Sequence, residues 1–302
     1  DKEIRKNFWK NGYVIIRDVF SKDQILKFRT FIKEKSEEIV GTDKKDWRKI
    51  NLEGMKDVLS YEELRDSILN KKLLDTVKYL LEDENIYYWG YSRFRYNEKS
   101  YRNIHNDAKN DFKNPFDTKY PILRTGVYLQ DHKNFSDGLK IFKQSCHAYK
   151  FGRTIIKKAF KEKDLRYLLP QRFKSVNIDS QAGDVIIWNL RTCHSANAIR
   201  LKFFKNLSLR PFVENFLEKY FSNILVPNEK DRAVIFSNFG TMSDELINFL
   251  KDNVEQPAIY NSIKNSDFLD DKILSESKKY GLKILDIDKV VTKYQNEPFS
   301  KN

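Results

Sequence analysis

Apolar residues recur along this chain with two different periods, and the switch between them predicts its elements. Gly12 to Arg17, GYVIIR, reads as a short first strand. Ser21 and Gln24 form a capping-box pair ahead of a helix from Gln24 to about Ile39, whose stripe of Ile25, Phe28, Phe31 and Ile32 follows the helical repeat. Helical patterning continues over Tyr61 to Leu69 and Lys72 to Leu81. From Tyr87 to Tyr96 the period becomes two, which places Tyr91, Arg93 and Arg95 on one side of a strand and Ser92, Phe94 and Tyr96 on the other. Further strands are expected at Leu123 to Asp131, Asp137 to Phe142 and Val185 to Trp188, the last an apolar run opened by the turn Gln181-Ala182-Gly183-Asp184. Phe203 to Phe212 reads as its returning partner strand, mostly buried. Beyond it, Asp231 to Phe236 reads as a strand and Met242 to Asp252 as a helix capped by Ser243. The tail from Asn261 is expected to form helices over one end of the strands, with residues after about Gln295 disordered.

These elements make a mainly β chain with flanking helices. With 302 residues, 40% of them hydrophobic, and no linker rich in Gly, Ser or Pro, one domain over residues 1–302 is expected, its core at about 8–212 and residues 213–302 a helical extension packed on it. No apolar run approaches the roughly 18 residues that span a bilayer, and DKEIRKNFWK lacks the apolar centre of a secretory signal. The two cysteines, Cys146 and Cys193, give no disulfide framework, so a cytoplasmic protein is expected, with Cys193 a packed free thiol. The net charge of +13 can raise the encounter rate with anionic ligands, whether a small acidic metabolite, an acidic carbohydrate, a phosphorylated carrier or an anionic membrane surface met peripherally, without choosing among them. A solvated basic surface is the plainer reading. Lysines are scattered rather than gathered in a basic arm, and the aromatics, 14% of the chain, form no evident stacking platform; a nucleic-acid partner is not expected.

The chemistry concentrates in two places. Ile104-His105-Asn106-Asp107 sets an imidazole and a carboxylate two residues apart, hence on one side of an extended backbone. The run GDVIIWNLRTCHSAN delivers His194 from a distant strand. Two histidines and one carboxylate on one face of an ion, with other positions open, form the facial set of non-haem Fe(II) oxygenases. The plainer alternative is a hydrogen-bonded loop pair at His105 and Asp107. His147 is the rival third ligand, read here as a residue that fixes its loop.

The HxD at His105 to Asp107, the block SDGLKIFKQSCHAY at Ser136 to Tyr149 and the string GDVIIWNLRTCHSAN, in that order, resemble the phytanoyl-CoA dioxygenase family of Fe(II)/2-oxoglutarate oxygenases. The resemblance covers about Phe8 to Phe212 and implies a double-stranded β-helix, the cupin-like jelly roll, with helices outside. It implies iron on His105, Asp107 and His194, 2-oxoglutarate and O2 as co-substrates, and hydroxylation of a substrate C–H bond with release of succinate and CO2. Retention of Asp107 favours hydroxylation over halogenation, for which the family's wider class replaces that carboxylate with a small residue. The family places an arginine eleven residues after the distal histidine to hold the far carboxylate of 2-oxoglutarate; here the eleventh residue is Lys205, which carries the charge without the planar fork. Lys205 ranks first for that role and Arg200 second, while Arg210 would need a shifted register. The resemblance also makes Arg93 and Arg95, on the strand before the HxD, candidates to meet an anion. Two other readings stay open: a jelly-roll binding module that has lost co-substrate affinity, and a zinc-type hydrolase lacking an identified general base.

Overall fold

A computed structural model describes residues 2–40, 55–97, 104–108, 119–150 and 174–295 of the chain. The strands are β1 (Tyr13–Ile16), β2 (Ile86–Tyr88), β3 (Arg93–Tyr96), β4 (Ile122–Tyr128), β5 (Gly138–Phe142), β6 (Ser175–Asn177), β7 (Val185–Asn189), β8 (His194–Ala198), β9 (Ala233–Gly240) and β10 (Leu282–Ile284). The helices are α1 (Lys2–Asn11), α2 (Lys22–Val40), α3 (Lys71–Leu81), α4 (Pro211–Tyr220), α5 (Asp244–Val254), α6 (Pro257–Lys264), α7 (Asp271–Lys279) and α8 (Ile287–Lys293).

Seven strands form a major sheet in the order β1-β7-β4-β9-β2-β10, with β3 also on β9, and β6-β5-β8 form a minor sheet. All pairings are antiparallel except β10 on β2. Register explains the layering. Trp188 lies opposite Tyr13 and Arg124, Arg124 opposite Asn238, and Arg93 opposite Phe236, so these residues share one face of the major sheet. That face meets Leu139 and Ile141 of β5 in an inter-sheet core with Tyr128, Ile186, Trp188 and Val234. The opposite face, with Ile187, Val127 and Ile235, joins a larger core that includes Phe28 and Ile32 of α2, Leu73 and Val77 of α3 and Leu250 of α5. Two facing sheets, with α2, α3 and α5 against the major one and α4 against the minor one, form a double-stranded β-helix, open rather than closed at its edges.

Local chemistry fixes the approach to β7. Gly183 has φ +101°, and an added Cβ would stand 2.6 Å from the Phe20 carbonyl oxygen, so only glycine fits the turn. Asp184 is buried there, accepting from Gln181 N, Asp18 N and the Arg17 guanidinium. The capping box before α2 forms as expected: Ser21 N donates to Gln24 Oε1 and Gln24 N to Ser21 Oγ.

Several expectations need correction. Phe203 to Phe212 is not a strand: residues 202–210 form a turn-rich excursion, and Pro211 at the first helical position starts α4 with its fixed φ. Phe203 is 84% exposed, so the apolar character of the segment does not signal a core. The β9 strand, well past residue 212, lies inside the major sheet, and β10 adds a parallel edge beside β2. The region read as a helical extension therefore completes the sheet. Tyr61 to Leu69 is not one helix: it holds a single short 3-10 turn, Arg65–Ser67, and a second, Val58–Ser60, precedes it. His132, expected in a polar turn, is fully buried, held by Gln130 and Ser180. The disorder expected after Gln295, and most of the polar loop from Arg102 to Pro121, fall outside the described residues.

Candidate metal centre

His194 opens β8 on the minor sheet, and the His105 segment pairs with it there. His105 N donates to His194 O at 3.0 Å and His194 N to His105 O at 2.8 Å. Such directly opposed residues send their side chains to the same side, and the rings lie 4.4 Å apart. Asp107 N donates to Leu190 O at 3.1 Å, which anchors the carboxylate beside the same strand connection. One ligand-capable atom each from His105, Asp107 and His194 lies within 4.8 Å of the others. The separation in sequence between the HxD and His194 is thus closed by two backbone hydrogen bonds.

The donor set suits a divalent cation. His194 Nδ1 lies 3.0 Å from the Thr192 carbonyl oxygen, so Nδ1–H donates there and Nε2 keeps its lone pair, 3.5 Å from Asp107 Oδ2. Burial, with His105 alongside, pulls the His194 pKa down to about 4, which leaves a neutral imidazole at neutral pH. Burial alone would raise the Asp107 carboxyl, but the Arg124 guanidinium and the two imidazoles outweigh it and hold the group well below the usual carboxylate range. Arg124 reaches Asp107 Oδ2 at 3.0 Å from β4 and lies over the Phe236 ring. Trp188 packs against His194 at 5.4 Å between ring centroids. A neutral imidazole lone pair, an ionised carboxylate and a second histidine match the ligand chemistry of Fe(II).

A model of the phytanoyl-CoA dioxygenase family matches residues 8–205. The chain belongs to the phytanoyl-CoA dioxygenase family. It is thereby a non-haem Fe(II)/2-oxoglutarate-dependent enzyme. Among solved structures it is similar to EctD from S. alaskensis, crystallised with 2-oxoglutarate and 5-hydroxyectoine, at 14% identity over 80% of this chain and 76% of that one, with TM-score 0.51. It is also similar to the non-haem α-ketoglutarate-dependent carbocyclase SnoK from nogalamycin biosynthesis, at 16% identity over 80% and 85% of the two chains, again with TM-score 0.51. At these identities the likeness is one of fold. Compared with curated protein sequences, the chain has no match.

The other sequence-derived candidates fare differently. Lys205 is exposed on the excursion after β8, where its backbone carbonyl accepts from Arg200 Nη1 at 3.1 Å. Arg200 is buried, but its Nη2 donates to Ile178 O and Asp179 Oδ1, which commits it to the rim of the minor sheet. Arg210 lies over Phe142, a residue whose neighbour Ile141 faces the inter-sheet core, so it stands on the outer side of the minor sheet. Arg93 does sit on the inner face of the major sheet, with its guanidinium over the Tyr91 ring at 4.6 Å. His147 points elsewhere, its Nε2 2.8 Å from the Trp9 carbonyl oxygen. Cys193 packs with Ile104 and Phe142, and burial pushes its thiol up to about 12.

The residue that counting from His194 passes over is Arg232. It immediately precedes β9, two residues before Val234, and so turns towards the inter-sheet core with it. Its Nη1 donates to Asn197 Oδ1 of β8 at 2.6 Å. Tyr128 lies within electrostatic reach of Arg232, Arg124 and Asp107: burial pushes the phenol up to about 12, against the pull of the two arginines. The readable signal is the strand pattern from Asp231 onward, which makes the next cation at a strand entry Arg232 once residues 203–212 are no longer a strand.

Proposed function

We propose that this enzyme hydroxylates a C–H bond of a small polar or acidic metabolite, or of a surface-glycan carbohydrate, with iron held by His105, Asp107 and His194 and the far carboxylate of 2-oxoglutarate held by Arg232. The observation that carries the reading is the convergence of the three ligand atoms within 4.8 Å of one another in a chain of this family. When bound, Fe(II) with 2-oxoglutarate and O2 supplies the oxidising power for C–H hydroxylation, with succinate and CO2 released. The chain's own residues do the rest. Thr192 O fixes the His194 tautomer, and Arg124 keeps Asp107 ionised and oriented. Arg232 offers a fork of donors that Lys205 lacks, which restores the arginine that the eleventh position denies. Tyr128 keeps its proton and can donate to an anion held between Arg232 and the triad. Arg93, on the same inner face with its guanidinium over Tyr91, supports an anionic or polar substrate, since positive charge there favours a carboxylate, a phosphate or a hydroxyl-rich partner.

The test is release of succinate from 2-oxoglutarate by the Fe(II)-loaded protein across a panel of acidic metabolites and sugars. At least one panel member should stimulate release well above the uncoupled rate, and His105→Ala should abolish the stimulation. Iron-loaded protein that turns over no 2-oxoglutarate with any panel member would contradict the reading and favour a silent binding module.

A further inference from the structure

The excursion between β8 and β9 exposes its apolar residues where a soluble surface would bury them. Of ten large hydrophobic residues exposed among the described residues, seven fall between Phe203 and Phe221. Phe203, Phe204 and Phe212 are 84%, 66% and 72% exposed. On α4 the stripe Phe212, Phe216 and Tyr220, spaced by four residues, lies along one face and points outward, while Pro211 and Glu214 are buried. The polarity of the helix is inverted: its inward face carries a carboxylate, and that carboxylate is bonded to the fully buried Lys140 of β5 at 2.5 Å. Phe216 packs against both Tyr220 and Phe221 with tilted rings, so the aromatics form a continuous patch on the helix and just beyond it. At the neck of the excursion Leu201 bridges Leu225 and Lys202 N donates to Ile224 O, which starts the Phe203 and Phe221 branches from one place.

Three lysines lie at this patch, with one exposed carboxylate, Glu218, on α4 beside the last of them. Lys202 and Lys205 are exposed beside Phe203 and Phe204, and Lys219 lies over the Tyr220 ring at 5.0 Å. Glu214, the acidic residue in the first turn of α4, is withdrawn into the pair with Lys140. Exposed aromatics rimmed by lysines, on a chain of net charge +13, complement a surface that offers negative headgroups over an apolar interior.

We propose that the excursion from Lys202 to Phe221 docks this enzyme on an anionic phospholipid membrane, with Phe203, Phe204, Phe212 and Phe216 entering the headgroup and acyl boundary and the lysines meeting the headgroups. No helix among the described residues is long and apolar enough to cross a membrane, so this contact is peripheral. It stands independently of the reaction at the metal centre.

The experiment is co-sedimentation of the full chain with vesicles of phosphatidylcholine alone and of phosphatidylcholine mixed with phosphatidylserine. The wild type should sediment with the mixed vesicles and remain in solution with the neutral ones. A triple variant, Phe203→Ser, Phe212→Ser and Phe216→Ser, should stay in solution with both while keeping the wild-type unfolding profile, because all three side chains are exposed. Lys205→Ala should weaken binding to the mixed vesicles about fivefold. A wild type that ignores both vesicles, or a triple variant that binds as well as the wild type, overturns the proposal. So does a wild-type dimer that dissociates in the triple variant, which assigns the patch to a second copy.

Discussion

At the residue scale, the decisive pair is Lys205 and Arg232. Lys205 occupies the sequence position where the family resemblance expects the 2-oxoglutarate cation, yet it is exposed outside the sheet. Arg232 is buried, turned inward and hydrogen-bonded to β8, the strand that also carries His194. A charge-assisted hydrogen bond contributes about 1.5–3 kcal/mol. Arg232→Gln should therefore raise the dissociation constant of 2-oxoglutarate by roughly 10- to 100-fold, read by titration of the iron-loaded protein, while Lys205→Ala should change it less than about twofold. Equal losses in the two variants would return the role to the excursion. The convergence of His105, Asp107 and His194 was legible because HxD geometry is local and His194 follows closely on a recognisable apolar run, although it opens β8 rather than ending β7. Arg232 was not, because its placement depends on how far the chain travels between β8 and β9, and no short-range pattern records that distance. Arg124 escaped notice for a related reason: its meeting with Asp107 arises only when β4 lies beside β7.

At the element scale, the segment from Phe203 to Tyr220 shows how periodicity can mislead. Phe203 to Phe212 suggested a buried strand, but residues 202–210 are turn-rich and Pro211 starts a helix whose aromatic face is outermost. The helix is held instead by a polar anchor. Lys140 and Glu214 are both fully buried, Lys140 also donates to Leu209 O, and Ile199 N donates to Glu214 Oε1. Removing one partner of such a pair costs about 3–5 kcal/mol, whereas replacing both by apolar residues of similar size is often neutral or better. Chemical denaturation should thus show Glu214→Ala strongly destabilised and the double variant Lys140→Met, Glu214→Leu close to wild type. A single variant within about 0.5 kcal/mol of wild type would show that the anchor contributes little. Elements with their own local signals read correctly from sequence, as α2 with its capping box and α5 with Ser243 at its cap both show. The β10 strand carries only three residues, and its existence depends on a parallel neighbour supplied from the other end of the chain.

At the scale of the whole molecule, the two sheets and the long β8 to β9 connection combine into one arrangement. The minor sheet brings His194 and His105 together, the major sheet supplies Arg124, Tyr128 and Arg93 from its inner face, and β9 returns Arg232 to the same space. Mainly β architecture with outer helices was readable because alternation and apolar stripes are strong signals over these lengths. The extent of the sheet was not, since β9 and β10 join it by non-local pairing. The central claim, that this space holds iron and 2-oxoglutarate together, is tested most directly by anaerobic titration of the Fe(II)-loaded protein with 2-oxoglutarate. The measured quantity is the weak visible charge-transfer band of the chelate, with His194→Ala as the control. A saturable band in the wild type that is absent from the variant is the expected result. Wild-type protein that binds iron and develops no band at any 2-oxoglutarate concentration would contradict it.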